Sequence, residues 1–176
     1  VEVAPTLAVG GELKATFCLA AGTDAFMSQH IGDMENLETL QAFTAAVEHM
    51  CGLFRIEPER VVADMHPRYL STRWAQEAYP DDTILVQHHH AHIGSVMAEN
   101  GYTDPVIGFS FDGTGYGTDG TIWGGEVLVG DLDGLERAGH LAPARLVGGD
   151  AAVKRPYRMA LSQLWAAGIE WADDLP

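Results

Sequence analysis

Apolar residues recur along this chain in two rhythms. In PTLAVGGELKATFCLA they alternate with polar or small residues: Leu7 and Val9 before Gly10 and Gly11, then Leu13, Ala15, Phe17 and Leu19 after them. Alternation on both sides of a glycine pair predicts two strands joined by a tight turn. From Asn36 the spacing changes to threes and fours, through Leu37, Leu40, Phe43, Val47, Met50 and Phe54. That is the period of a helix with one buried face; Asn36 is its expected N-cap, and Gly52 and Pro58 bracket its end.

Short apolar runs then alternate with amphipathic ones. RVVADM predicts a buried strand, YLSTRWAQEAY a helix and TILVQ a second strand. The run QHHHAH opens a helix to about Glu99, which Asn100 and Gly101 terminate. PVIGFSF predicts a strand ending at Asp112, and beyond the loop DGTGYGTDG further strands are expected over 121–129 and 136–142. RPYRMALSQLWAAG predicts a helix with Pro156 near its first turn and Gly168 beyond its end. A hairpin followed by alternating helices and strands predicts an α/β layer fold, with a mixed sheet and flanking helices.

Composition narrows the functional classes. With 176 residues, 47% of them hydrophobic, the chain can bury the core of one domain or of one lobe. Ten basic residues face 25 acidic ones, a formal charge of −15. That balance argues against general affinity for nucleic acid or for anionic membranes. Any anion must be held locally, by backbone N–H groups, a metal ion or a few basic side chains. Cys18 and Cys51 match no metal or redox motif, and each is expected to be a buried thiol in a reducing compartment. No apolar stretch is long enough to span a bilayer and Glu2 and Pro5 interrupt the start, so a cytoplasmic location is expected. The chain opens on Val1 rather than Met and its last stretch, GIEWADDLP, has no closing element, so a fragment of a longer protein is expected.

Four of the eight histidines fall between His88 and His92. Residues four apart on a helix share a face, so His88 and His92 can hold one metal ion. Neutral imidazole suits zinc and iron alike, and spacing does not choose between them. The alternative is capping and packing, with some rings in solvent and others bonded to carbonyls. His89 and His90 point elsewhere on the helix, as supporting groups or substrate contacts. Two nitrogens need a third ligand, and the next strand offers Asp112.

After Asp112 come Gly113, Gly115, Gly117 and Gly120, with Thr114 and Thr118 between them. Such a loop can form a concavity of N–H groups for phosphate oxygens. It also reads as an ordinary tight hairpin. It is neither a P-loop nor a dinucleotide fingerprint, since no Gly-Lys-Ser/Thr follows and a strand comes next. If the histidine helix joins two parallel strands, its first turn lies near the end of the second, and Asp112 meets His88 and His92. Lys154, Arg155 and Arg158 cluster at the start of the last helix, where they suit either phosphate or surface ion pairs. His66, Arg68 and Arg73 follow a strand end, where a solvated helix start is the expected reading.

KATFCLAAGTDAFMSQHIGDMEN, DMHPRYLSTRWA, QHHHAH and FDGTGYGTDGTIWGGE occur in that order. Together, from about Thr6 to Trp165, they resemble the HypF-type carbamoyltransferases of NiFe-hydrogenase maturation. The resemblance implies one lobe of an actin/sugar kinase/Hsp70-type (ASKHA) ATP-binding fold. That lobe would be the first of a C-terminal domain that follows acylphosphatase-like, zinc-finger and YrdC-like domains, none of which is in this chain. It implies an enzyme that makes carbamoyl-adenylate from carbamoyl phosphate and ATP. The enzyme then passes the carbamoyl group to the C-terminal cysteine of a partner, HypE, on the way to cyanide. His88, His92 and Asp112 carry over as ligands of a divalent metal, zinc or iron, with magnesium a separate cofactor, and a further aspartate ligand is expected in the missing lobe. The loop glycines Gly113, Gly115 and Gly117 carry over to nucleotide phosphates, beside Thr114, Thr118 and Lys154, which the residues themselves offer as phosphate contacts. The isolated fragment is expected to be inactive. No nucleophile is expected within it, since neither Cys18 nor Cys51 sits in an activating motif. Rival readings are a related O-carbamoyltransferase, a tRNA threonylcarbamoyl-type enzyme and a non-catalytic metal-binding interaction module. Ala91 departs from the His-His-x-Glu-Gly-His pattern of the tRNA-modifying relatives.

Overall fold

The structure, a computed structural model, describes residues 2–170. The end of GIEWADDLP lies outside the described residues. Two compact units divide at His140.

The first unit opens on β1 (Val3–Ala8), β2 (Cys18–Gly22) and β3 (Asp24–Met27), an antiparallel meander. The expected hairpin is present, but its second strand starts late. Residues 12–14 form a turn, and Ala15 bridges to Gly32 instead. The third strand was not anticipated. Helix α1 (Leu37–Phe54) starts where its cap predicts: the Asn36 side chain accepts from Thr39 N–H. It ends at Phe54, as expected. Gly52 lies inside the helix, and Arg55 closes it in the left-handed conformation at φ 57° with its N–H on Cys51 O.

After α1 the chain crosses into β4 (Arg60–Asp64), runs through α2 (Leu70–Ala78) and returns as β5 (Thr83–Val86). Both strands join the sheet in parallel, giving the order β3-β2-β1-β4-β5 and the mixed sheet expected. The core is the face that alternation predicted. Leu7, Val9, Phe17 and Leu19 pack with Phe43 and Val47 of α1 and with Val61 and Ala63 of β4. Phe17 meets Phe43 edge-on at 5.6 Å, and Phe43 meets Trp74 at 5.2 Å. No helix of the described residues is long and apolar enough to cross a membrane.

Helix α3 (His88–Asn100) follows β5, and Gly101 ends it at φ 67°. Strand β6 (Val106–Ser110) comes next, but it does not pair with β5. It joins a second sheet, pairing antiparallel with β9 (Glu126–Asp131), which neighbours β10 (Gly134–His140). The single strand expected over 121–129 is broken. A separate hairpin of β7 (Gly115–Tyr116) and β8 (Ile122–Trp123) precedes β9. The break falls at Gly124, where a Cβ would stand 2.7 Å from Gly113 O and force the chain apart. Ile93 and Met97 of α3 pack on Trp123 and Leu128 as a second small core.

The second unit holds the short α4 (Asp150–Lys154) and α5 (Tyr157–Ala166), the latter within the expected helix. Gly168 follows its end at φ 65°.

Candidate metal centre

Two parallel strands and one helix cap set the site. The register pairs Asp64, the last residue of β4, with Val86, the last of β5. The Asp64 carboxylate therefore stands beside the first turn of α3. Gln87 caps that turn, its Oε1 accepting from His89 N–H at 2.7 Å and His90 N–H at 3.1 Å. Asp112 reaches the same turn from the end of β6. The predicted meeting of Asp112 with the histidines thus occurs, but by a different route from the parallel strand pair expected.

His88 Nε2 lies 3.0 Å from Asp112 Oδ2 and 3.2 Å from His92 Nε2, and His92 Nε2 lies 3.5 Å from Asp112 Oδ2. One ligand atom from each converges, and this is a group among the described residues able to hold a metal ion. Donors about 2.0–2.1 Å from one tetrahedral ion stand roughly 3.3 Å apart, so the three separations fit. Two imidazoles and a carboxylate suit zinc or iron; magnesium, which prefers oxygen, fits this set poorly. His89 is fully buried, and its Nε2 has no well-directed hydrogen-bond partner although Asp112 Oδ1 is 2.5 Å away, off the N–H axis.

The charges around the centre are ordered. His88 Nδ1 donates to Asp64 Oδ2 at 2.7 Å, and Asp64 Oδ1 accepts from His66 N–H at 2.8 Å. That hydrogen bond to Asp64 raises the His88 pKa above its usual value, against the opposing pull of burial. Burial lowers His89, with Asp112 opposing, and burial together with His89 lowers His90. Burial lowers His66 as well; its ring stacks on Tyr69 at 4.0 Å. Arg73 forms only an exposed ion pair with Glu77, as expected of a solvated helix face.

The glycine loop is the hairpin β7–β8. Its tip is tied by Gly117 N–H to Thr121 O, and the Asp119 carboxylate accepts from the Thr121 hydroxyl and the Trp123 indole N–H. Two of its four glycines serve close packing. A Cβ on Gly115 would lie 2.6 Å from His89 Cε1, and one on Gly117 would lie 2.2 Å from Trp123 Nε1. Only Gly120 of these four has a positive φ, at 76°. Gly113, Thr114 and Thr118 are exposed and free to meet a ligand. Beneath the hairpin, fully buried Glu126 receives two hydrogen bonds from Arg137, whose guanidinium lies 4.2 Å over the Trp123 ring. Burial alone would raise Glu126; Arg137 and the Gly124 N–H outweigh it and hold the carboxyl below its usual value.

An apolar groove of about 620 Å³ between α3 and β6 opens onto His92 and Asp112, lined by Val96, Tyr102, Phe109 and Phe111 among others. Lys154 ends α4 in the second unit and is exposed. Nearby in sequence, Arg155 and Arg158 lower the Tyr157 hydroxyl by hydrogen bonding. Cys18 and Cys51 are free and half-buried, and burial raises both thiols.

Sequence reasoning missed Asp64, Gln87, Glu126 and Arg137. For Asp64 a signal exists: a carboxylate closing an apolar parallel strand, the strand end where ligands gather in α/β sheets.

A family model described as HypF Kae1-like domain matches residues 2–99, and one described as carbamoyltransferase, Kae1-like domain, second subdomain, matches 108–176. Their boundary falls between the two sheets. Carbamoyltransferase HypF2 of Cupriavidus necator is 46% identical over 165 residues, covering 92% of this chain and 20% of that protein. Carbamoyltransferase HypF of Synechocystis sp. is 45% identical over 161 residues, 90% of this chain and 21% of its own length. The crystal structure of full-length HypF in the phosphate- and nucleotide-bound form matches with a TM-score of 0.87 at 48% identity, over 93% of this chain and 22% of that one. That of T. kodakarensis HypF matches with a TM-score of 0.85 at 40% identity, over 93% and 22%. The chain spans about a fifth of the length of these relatives. The motifs, the mixed α/β architecture and these likenesses together place the chain in the HypF carbamoyltransferase family.

Proposed function

We propose that this chain supplies the metal centre and part of the phosphate site of a carbamoyltransferase acting in NiFe-hydrogenase maturation. The observation that carries the reading is the convergence of His88, His92 and Asp112 in a chain of this family. In the whole protein, carbamoyl phosphate and ATP are the substrates, carbamoyl-adenylate is the intermediate, and the C-terminal cysteine of HypE is the acceptor. The full-length HypF of known structure is in a phosphate- and nucleotide-bound form, which supports the same chemistry here.

His88, His92 and Asp112 would hold a divalent cation, zinc or iron. Bound there, the cation supplies Lewis acidity toward phosphate or carbamoyl oxygens. The chain's own residues then orient. Asp64 keeps the His88 proton on Nδ1 and its Nε2 lone pair toward the centre. The exposed amides and hydroxyls of Gly113, Thr114 and Thr118 are offered to phosphate oxygens, on Gly115 and Gly117 packed beneath them; Lys154, in the second unit, is proposed separately as a phosphate contact. Nucleotide magnesium would stand apart from the nitrogen-rich centre.

The strand order β3-β2-β1-β4-β5, with an antiparallel meander and two parallel strands, supports reading residues 3–86 as the sheet of an ASKHA-type lobe. The location proposed is cytoplasmic, and the isolated chain is proposed to be inactive. In the full-length protein, His88→Ala or His92→Ala should abolish carbamoyl transfer, read as loss of the mass increment on the HypE C-terminal peptide. Retained transfer overturns the reading. Carbamoylation of a sugar hydroxyl or modification of a tRNA adenosine instead would reassign the acceptor.

A further inference from the structure

The histidine run holds more imidazoles than the centre needs, and the contacts of His89 account for one of them. The Gln87 Oε1 accepts from two backbone N–H groups, those of His89 and His90. Two donors on one atom fix which end of the amide is oxygen. The Gln87 NH₂ therefore faces His89 Nδ1 at 3.0 Å and Tyr116 O at 3.2 Å. An amide NH₂ only donates, so His89 Nδ1 is an acceptor and the ring proton sits on Nε2. That N–H lies 2.5 Å from Asp112 Oδ1, and the Ser110 hydroxyl stands 3.5 Å from the same oxygen. The other oxygen, Oδ2, is the one that meets His88 and His92.

We propose that Gln87 and His89 are positioning residues: the amide fixes the His89 tautomer, and the His89 N–H, close to Oδ1 of Asp112 but off its axis in the empty centre, comes into line with Oδ1 when Oδ2 is presented to a metal. The inference rests on the metal-site reading above. His89 cannot swing away, since it is fully buried, capped by the Gly115 backbone and set parallel to the Trp123 indole. Asp112 follows β6 into a loop, so an outside donor is what selects the rotation of its carboxylate.

The test uses the full-length protein with Zn²⁺, its affinity read by chelator competition, and with Co²⁺, its visible bands reporting ligand geometry. Gln87→Glu keeps shape and suits a helix N-terminus, but its carboxylate accepts where the amide donated. It should flip the His89 tautomer, weaken Zn²⁺ about 10- to 100-fold, as loss of an orienting partner does, and alter the Co²⁺ bands. His89→Phe should do the same. His89→Gln, whose amide N–H replaces Nε2–H, should restore binding. Zn²⁺ affinity at the wild-type level in folded Gln87→Glu or His89→Phe overturns the positioning role and leaves the metal reading intact. Wild-type Zn²⁺ binding in His88→Ala overturns the metal reading and this inference with it. Selective ¹⁵N labelling of the histidine rings reads the wild-type tautomer directly; a proton on His89 Nδ1 overturns the proposal without any variant.

Discussion

Replacing Asp64 by asparagine changes one atom and should cost the centre most of its grip. The Asp64 side chain is only 7% exposed and has both oxygens engaged: Oδ1 takes the His66 N–H at 2.8 Å, and Oδ2 takes the His88 Nδ1–H at 2.7 Å. An asparagine amide cannot accept from both. With its oxygen on His66, its NH₂ faces His88 Nδ1, and the ring proton moves to Nε2, where it blocks the lone pair that a metal would use. With the amide reversed, its NH₂ confronts the His66 N–H. Metal at Nε2 then forces either the Nδ1–H against the amide NH₂ or the reversed NH₂ against the His66 N–H, and the poorly matched donor costs about 1–3 kcal/mol. At 1.4 kcal/mol per tenfold, Zn²⁺ affinity should fall roughly 5- to 150-fold. The assay is chelator competition on full-length protein, beside a circular dichroism check of folding. Unchanged Zn²⁺ affinity in folded Asp64→Asn would show that Asp64 does not orient His88, and the reasoning would fail.

Glu126→Gln breaks a buried ion pair whose partner, Arg137, keeps a quarter of its side chain in solvent, so the loss should lie toward the low end of about 3–5 kcal/mol in urea unfolding. Because the folded Glu126 pKa is depressed, its contribution is whole above the ordinary glutamate value and is lost as pH falls through the lower folded one; the stability gap between wild type and Glu126→Gln should close on acidification. Gly115→Ala drives a methyl against His89 and the His88 Cβ and should destabilise by about 1–3 kcal/mol. Gly113→Ala, where a Cβ meets nothing within 4 Å, is the neutral comparison in the same measurement. Asn36→Ala removes the α1 cap and should lower stability by about 0.5–2 kcal/mol, seen in the urea midpoint.

What the sequence reveals follows the range of the interactions. The α1 cap and the close of α3 are legible because Asn36 and Gly101 act within one turn. The i,i+4 pair His88 and His92 is legible for the same reason. The sheet of β1 to β5 follows from alternation and from short parallel strands. Asp64 is harder: it reaches His88 across 24 residues, through a strand register that no local pattern encodes. Arg137 meets Glu126 across 11 residues and two strands. The placement of β6 was misjudged because an apolar strand after a helix reads the same in either sheet. The glycines of the hairpin read as ligand contacts, yet Gly115 and Gly117 are small so that His89 and Trp123 can approach. Clashing side chains, unlike turn preferences, leave no trace in the residues on either side.

The central claim is a single cation held by His88, His92 and Asp112. Anomalous diffraction at the zinc and iron edges from crystals of the full-length, metal-replete protein tests it directly. The account predicts one peak bonded to His88 Nε2, His92 Nε2 and Asp112 Oδ2. Metal bound elsewhere, with these three side chains left uncoordinated, would contradict it.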